Sequence, residues 1–372
     1  MVRRSSHQYA KIPVLLFIAG LVAMTAMPAL ASGTFQKTGS TNVARITHTA
    51  TLLSNGEVLV AGGDNSSLGG NCPSSAELFN PSTGAWTLTG CMTTARGNHQ
   101  AVLLPSGEVL VAGGGSASDP LASAELYNPS TGTWTPTGSM NTARSGFSLT
   151  LLANGEVLAV QGTSAELYNP ATGTWTVTGS PTSPVGGKNA ALLLNGQVLA
   201  IGESFNTLSQ LYDPSTGTWS ATGSAGITTL NVITPRLSSG EVLTTSGFIS
   251  GNRAESTAAV YDPSTGQFTF ENGPCQCAAF KGVALQTGEA LVAGGTIVIP
   301  GSPYPTYQTI KSAELWDPSI QAWTSTGNLN GARSGETITL LENGEALVAG
   351  GSESSKNSSS FVTLATAELY KP

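Results

Sequence analysis

From about residue 47 to the C-terminus, apolar positions fall in runs of four to six residues separated by Gly, Pro, Asn and Asp. No segment holds a helical period, and short Val/Leu runs between turn formers predict β-strands. One phrase recurs, cleanest at residues 124–162: AELYNPSTGTWTPTGSMNTARSGFSLTLLANGEVLAVQG. A repeat of 40–50 residues has to be settled before any other feature. Each unit predicts four strands: a run ending in Leu-Leu, a VLVAGG run apolar on both faces, an AELF or AELY run, and a fourth around an aromatic residue.

The second strand occurs seven times, at Glu57–Gly63, Glu108–Gly114, Glu156–Gly162, Gln197–Gly202, Glu241–Gly247, Glu289–Gly295 and Glu345–Gly351. The third also occurs seven times, but the aromatic fourth follows only six of them, at Trp86, Trp134, Trp175, Trp219, Phe268 and Trp323. The missing copy stands at the other end. Residues 33–40, GTFQKTGS, match GTWTPTGS at 132–139 and place Phe35 where Trp134 stands. The expected fold is therefore an all-β, seven-bladed propeller with four antiparallel strands per blade, closed by the N-terminal strand in the last blade. Closure removes the edges an open array would expose.

The diglycine after the second strand, the Tyr-(Asn/Asp)-Pro turn, the Gly-x-Trp and a later Arg together resemble the Kelch repeat, over nearly all of residues 33–372. The resemblance implies a Kelch-type β-propeller, a family that runs from binding platforms to a few enzymes. Fold does not choose among these. The Tyr-Cys and His set of the copper radical oxidases that share this propeller is not recognisable, and no cofactor is expected. The Asn80–Trp86 turn is not a sialidase-type Asp box, because Ser82 and Gly84-Ala85-Trp86 break that pattern.

Before the repeats, Arg3, Arg4 and Lys11 precede an apolar run, Ile12–Met24, that is short for a membrane span, and Ala29-Leu30-Ala31 fits a signal-peptidase site. Residues 1–31 read as a signal peptide and 32–372 as a single propeller domain, secreted to the periplasm, cell surface or medium. Without the leader the chain keeps 12 basic and 22 acidic residues, a net charge of −10. Thinly spread negative charge argues against nucleic acid, and no later run predicts membrane insertion. A monomeric domain is expected. The four cysteines suit disulfides: Cys72 and Cys91 fall in same-face loops of blade 1 and are the favoured bridge, leaving Cys275 and Cys277 as a Cys-x-Cys pair, although sequence does not choose among the three connectivities.

Four arginines, Arg45, Arg96, Arg144 and Arg333, share one repeat position, on blades adjacent around the ring; Val185, Thr229 and Cys277 replace them elsewhere. Guanidinium forks suit a carboxylate ligand. The stronger reading is structural: third-strand glutamates (Glu77, Glu125, Glu314, Glu368) come and go with the arginines around the ring, and each would pair with the next blade's Arg, leaving Glu166 alone. Three residues after the arginines come His48, His99 and Glu336, aimed at the channel mouth as a possible metal constellation, although a His there is also an ordinary Kelch feature. The long second-to-third loops at Ile297–Lys311, with Tyr304 and Tyr307, and Ser352–Thr366 mark this face as the binding face.

The expected function is a non-catalytic protein- or glycan-binding module using that face. The alternative is an enzyme acting on an acidic sugar, as the Kelch-type N-acetylneuraminate epimerases do.

Overall fold

The computed structural model describes residues 33–63, 75–116, 119–204, 207–227, 235–250, 252–301, 305–354 and 360–372. The expected signal peptide lies outside them. Among the described residues every element is a strand. Six antiparallel sheets of four strands and a fifth-blade sheet described with three strands make the seven blades of a propeller. In blade 1 the strands run from the inside outward as Thr49–Leu52, Val58–Ala61, Ala76–Asn80 and Ala85–Thr89.

The ring closes as the sequence predicts. Thr34–Lys37 pairs antiparallel with Ala367–Lys371, with Phe35 opposite Tyr370, and becomes the outer strand of blade 7.

The core consists of seams between blades. The second strands are buried along their whole length because their alternate residues serve different neighbours. Leu59 and Ala61 pack on Val109 and Val111 of blade 2, while Val58 and Val60 pack on Leu347 and Ala349 of blade 7. Polar contacts stitch the outer part of each seam. Trp134 Nε1 donates to Gly90 O at 2.8 Å, Gly90 N donates to Gly132 O at 3.0 Å, and Thr89 Oγ1 bonds Tyr127 OH at 2.8 Å. The closing seam repeats two of these, with Gly327 N on Gly33 O at 2.9 Å and Thr326 Oγ1 on Tyr370 OH at 2.9 Å. The repeat's Tyr, Thr-Gly and Gly-x-Trp are thus contacts between successive units.

The diglycine is required by the next blade. Gly62 has φ +66°, and a Cβ built there would stand 2.7 Å from His99 Cε1; Gly350 meets His48 Cε1, and Gly113 meets Phe147 Cε1, at the same distance.

Candidate binding face and channel mouth

The links between blades and the second-to-third loops share one face, since Arg144 and Arg333 bridge to Leu121 and Ile310 in the preceding blades' loops. Arg45, Arg96, Arg144 and Arg333 are nevertheless buried, at most 2% exposed. Each bonds a glutamate of its own blade: Arg45–Glu77 at 3.0 Å, Arg96–Glu125 at 2.9 Å, Arg144–Glu166 at 3.0 Å and Arg333–Glu368 at 2.6 Å. This corrects the expected pairing with the next blade's arginine. The side chain folds back over the ends of its own second and third strands, where Arg45 Nη1 donates to Gly62 O and Ser75 O. The link to the preceding blade runs through the main chain, with Arg96 O accepting from Gly63 N. Glu166 is therefore paired, and Glu314 is the glutamate whose blade has Cys277 in place of arginine.

The glutamates are fully engaged. Glu125 also accepts from Thr93 N and Thr94 N, and Glu368 from Asn330 N and Gly331 N. Burial pushes the Glu166 carboxyl upward, but hydrogen bonds from Asn141, Arg144 and Thr142 outweigh it and hold the group below its ordinary value. Glu314 lacks such donors, and burial raises it.

His48, His99 and Glu336 do come together, in the wall of a cavity of about 390 Å³ at the channel mouth, between blades 6, 7, 1 and 2. Each ring bonds the inner strand of the preceding blade: His48 Nε2 meets Thr337 Oγ1 at 3.0 Å, and His99 Nε2 meets Thr49 Oγ1 at 2.9 Å. Burial, then the charge of Arg45, outweigh a main-chain hydrogen bond with Ala349 and bring His48 down to about 3, so its ring is neutral. Among the described residues no three His, Cys, Asp or Glu side chains group as metal ligands. Both Nε2 atoms are engaged by threonine hydroxyls.

Glu336 is 1% exposed and neither of its oxygens has a hydrogen-bond partner. Burial pushes its carboxyl up to about 7, against the pull of its own amide, Lys281 and Arg333. Lys281 lines the same cavity, and sequence reasoning missed it. The available signal was the repeat register: it follows Phe280 as Thr337 follows Glu336. The channel admits solvent to its half-buried side chain, yet the surrounding strands lower its pKa against the opposing charge of Glu336.

Tyr304 lies outside the described residues. Tyr307 stands exposed on a hairpin, Thr296–Ile299 with Thr306–Thr309, that extends blade 6 above the face. A second hairpin, Ser352–Ser354 with Phe361–Thr363, extends blade 7, and Ser354 N donates to Thr309 Oγ1 at 3.0 Å to join the two. The blade 5 pair Val242–Ser250 and Arg253–Asp262 forms a third. Ile249, Ile299, Tyr307, Phe361 and Val362 are exposed along these extensions, between 39% and 57%.

Cys275 and Cys277 form the expected disulfide. Cys91 is exposed, and Cys72 lies outside the described residues.

The Kelch motif matches residues 45–93 and 97–141, which span blades 1 and 2. The same turn, seam and closure contacts continue through the later blades. The chain is a seven-bladed β-propeller whose first two blades match the Kelch motif. The Kelch propeller is similar to the structure of a fungal alcohol oxidase of the AA5 family in complex with copper, with a TM-score of 0.70 at 19% identity, covering 92% of this chain and 76% of that one. At that identity the likeness carries the fold alone. No curated protein matches the Kelch propeller.

Proposed function

We propose that this Kelch propeller is an exported, non-catalytic binding module that engages a partner protein through the hairpin extensions of blades 5, 6 and 7. The observation that carries the reading is the exposure of Ile249 on the blade 5 hairpin and of Ile299, Tyr307, Phe361 and Val362 on the blade 6 and 7 hairpins, which are cross-bonded through Thr309 and Ser354. Exposed apolar groups clustered on braced loops suit an interface. Aliphatic side chains outnumber aromatic ones there, which favours a protein surface over a stacked sugar ring. The leader pattern and the Cys275–Cys277 disulfide support export. The acidic-sugar enzyme loses its main motive, because the four guanidinium groups are spent on glutamates and main-chain carbonyls.

The test is crosslinking of purified residues 32–372 to proteins of the same compartment, then reconstitution with the purified partner. A variant carrying Tyr307→Ser, Phe361→Ser and Val362→Asp is compared, with a glycan array alongside. Binding by the parent protein and its loss in a variant of unchanged melting temperature is the expected result. A response on the glycan array alone makes the module a lectin. Undiminished partner binding by the variant rejects the surface.

A further inference from the structure

The seam between blades 6 and 7 departs from its neighbours at one pair of positions. In the next two seams a histidine lies on the glycine of the preceding blade and bonds a threonine hydroxyl on that blade's inner strand, as His48 does with Thr337 and His99 with Thr49. In the blade 6–7 seam the same two positions hold Glu336 and Lys281, and Glu336 lies against Gly294 as the histidines lie against Gly350 and Gly62. The fold thus sets a carboxyl group and an amine where the next two seams set an imidazole and a hydroxyl. Neither carboxyl oxygen accepts a hydrogen bond, and both residues line the cavity of about 390 Å³, a size suited to a small molecule.

We propose that Lys281 captures small aldehydes as a reversible imine at the channel mouth, with Glu336 carrying the proton. An amine in a cavity with no tight counter-ion is a nucleophile, and its cofactor-free electrophile is a carbonyl carbon. In the first step the Lys281 Nζ lone pair forms the N–C bond, the carbonyl π electrons move to oxygen, and Glu336 takes a proton from nitrogen and returns it to that oxygen. In the second step Glu336 takes the remaining proton from the carbinolamine nitrogen as the C=N bond forms and delivers it to the hydroxyl, which leaves as water. One aldehyde and one amine give one imine and one water, with no oxidant or reductant.

The electrostatics of the cavity agree. Burial lowers the pKa of Lys281 and holds Glu336 near neutrality, which suits proton transfer in both directions. The other charged or titratable groups near the pair are Arg333, which bears on Glu336, His48, which is neutral with Arg45 beside it, and His99 in the same cavity wall. The hydroxyls of Thr49 and Thr337 and the amide of Gln100 on the same wall favour a short hydroxyaldehyde over a plain alkyl one. This site is separate from the hairpin surface and does not depend on the partner-binding reading.

The test treats residues 32–372 with glyceraldehyde or propionaldehyde in cyanoborohydride at neutral pH and maps the modified lysines by peptide mass spectrometry. The expected result is labelling of Lys281 at least ~10-fold faster than of exposed Lys37 and Lys371. Glyceraldehyde should label faster than propionaldehyde, and Glu336→Gln should slow the step by ~100-fold. The parent protein's pH–rate profile is a second readout that needs no variant, with an inflection expected near neutrality. Labelling of Lys281 no faster than of Lys37 and Lys371, or a profile that rises only at alkaline pH, overturns the proposal. Faster labelling by propionaldehyde overturns the hydroxyaldehyde preference.

Discussion

Arg96 Nη2 donates to Glu125 Oε1 at 2.9 Å, and both residues belong to blade 2. The main-chain oxygen of the same arginine accepts from Gly63 N of blade 1. One residue therefore holds the end of its own blade by its side chain and the neighbouring blade by its backbone.

Removing that side chain leaves a buried carboxylate with only its two main-chain donors. Arg96→Ala is expected to cost ~3–5 kcal/mol, and Glu125→Ala a similar amount, because each strands a buried charge. Denaturant unfolding of both singles and the double variant checks this. The double should be less destabilised than the sum of the singles. Partner binding at the blade 5–7 hairpins should persist in whatever fraction stays folded.

Glu336 should make stability fall with pH across the neutral range. Its carboxyl is held up from an ordinary 4.5 to about 7, so between those values the folded protein keeps a proton that the unfolded chain has released. Raising pH through that window destabilises the fold by up to ~3 kcal/mol. Glu166 and Glu368 act oppositely, since their folded carboxyls are held below the ordinary value and their contribution disappears as pH falls below it. His48, held neutral down to about 3, acts with them, because its contribution is lost as pH falls below its ordinary 6.5. This opposes the Glu336 slope, so melting temperature should be nearly level between about pH 5 and 6.5, and Glu336→Gln should move its maximum toward neutral pH.

The N-terminal strand should behave as a closure. Without residues 33–40 blade 7 loses the partner of Ala367–Lys371 and the Gly33 and Phe35 contacts of its outer seam. An open edge associates. The truncated protein should form oligomers by size-exclusion chromatography, and a peptide of residues 33–40 should restore the monomer.

Blade 6 should accept the pairing it lacks. Cys277 stands where four other blades place arginine, and Glu314 of that blade is raised by burial alone. Against a Cys275→Ser/Cys277→Ser control, Cys275→Ser/Cys277→Arg should be more stable by ~2 kcal/mol in urea unfolding and should lower the Glu314 pKa. Equal stability of the two variants would mean that an arginine at this position does not pair with Glu314.

Blade number, strand order and closure were determined by the sequence alone, because each depends on local periodicity and on a count. Seven copies of the second and third strands, with six of the fourth, leave residues 33–40 one place to go. The burial of VLVA runs on both faces was legible for the same reason. The direction of the arginine pairs was not. Co-occurrence of Arg96 and Glu125 fits pairing within a blade, but the same composition also fits pairing across a seam. Only the path of the side chain, turned back over Gly113 O and Ser123 O, decides between them. The meeting of Lys281 with Glu336 was likewise decided by the tertiary structure. They come from different repeats, neither stands in a motif, and what joins them is the packing of one blade's inner strand against the next. That packing also strips the Glu336 carboxyl of bulk water, which no pattern along the chain records.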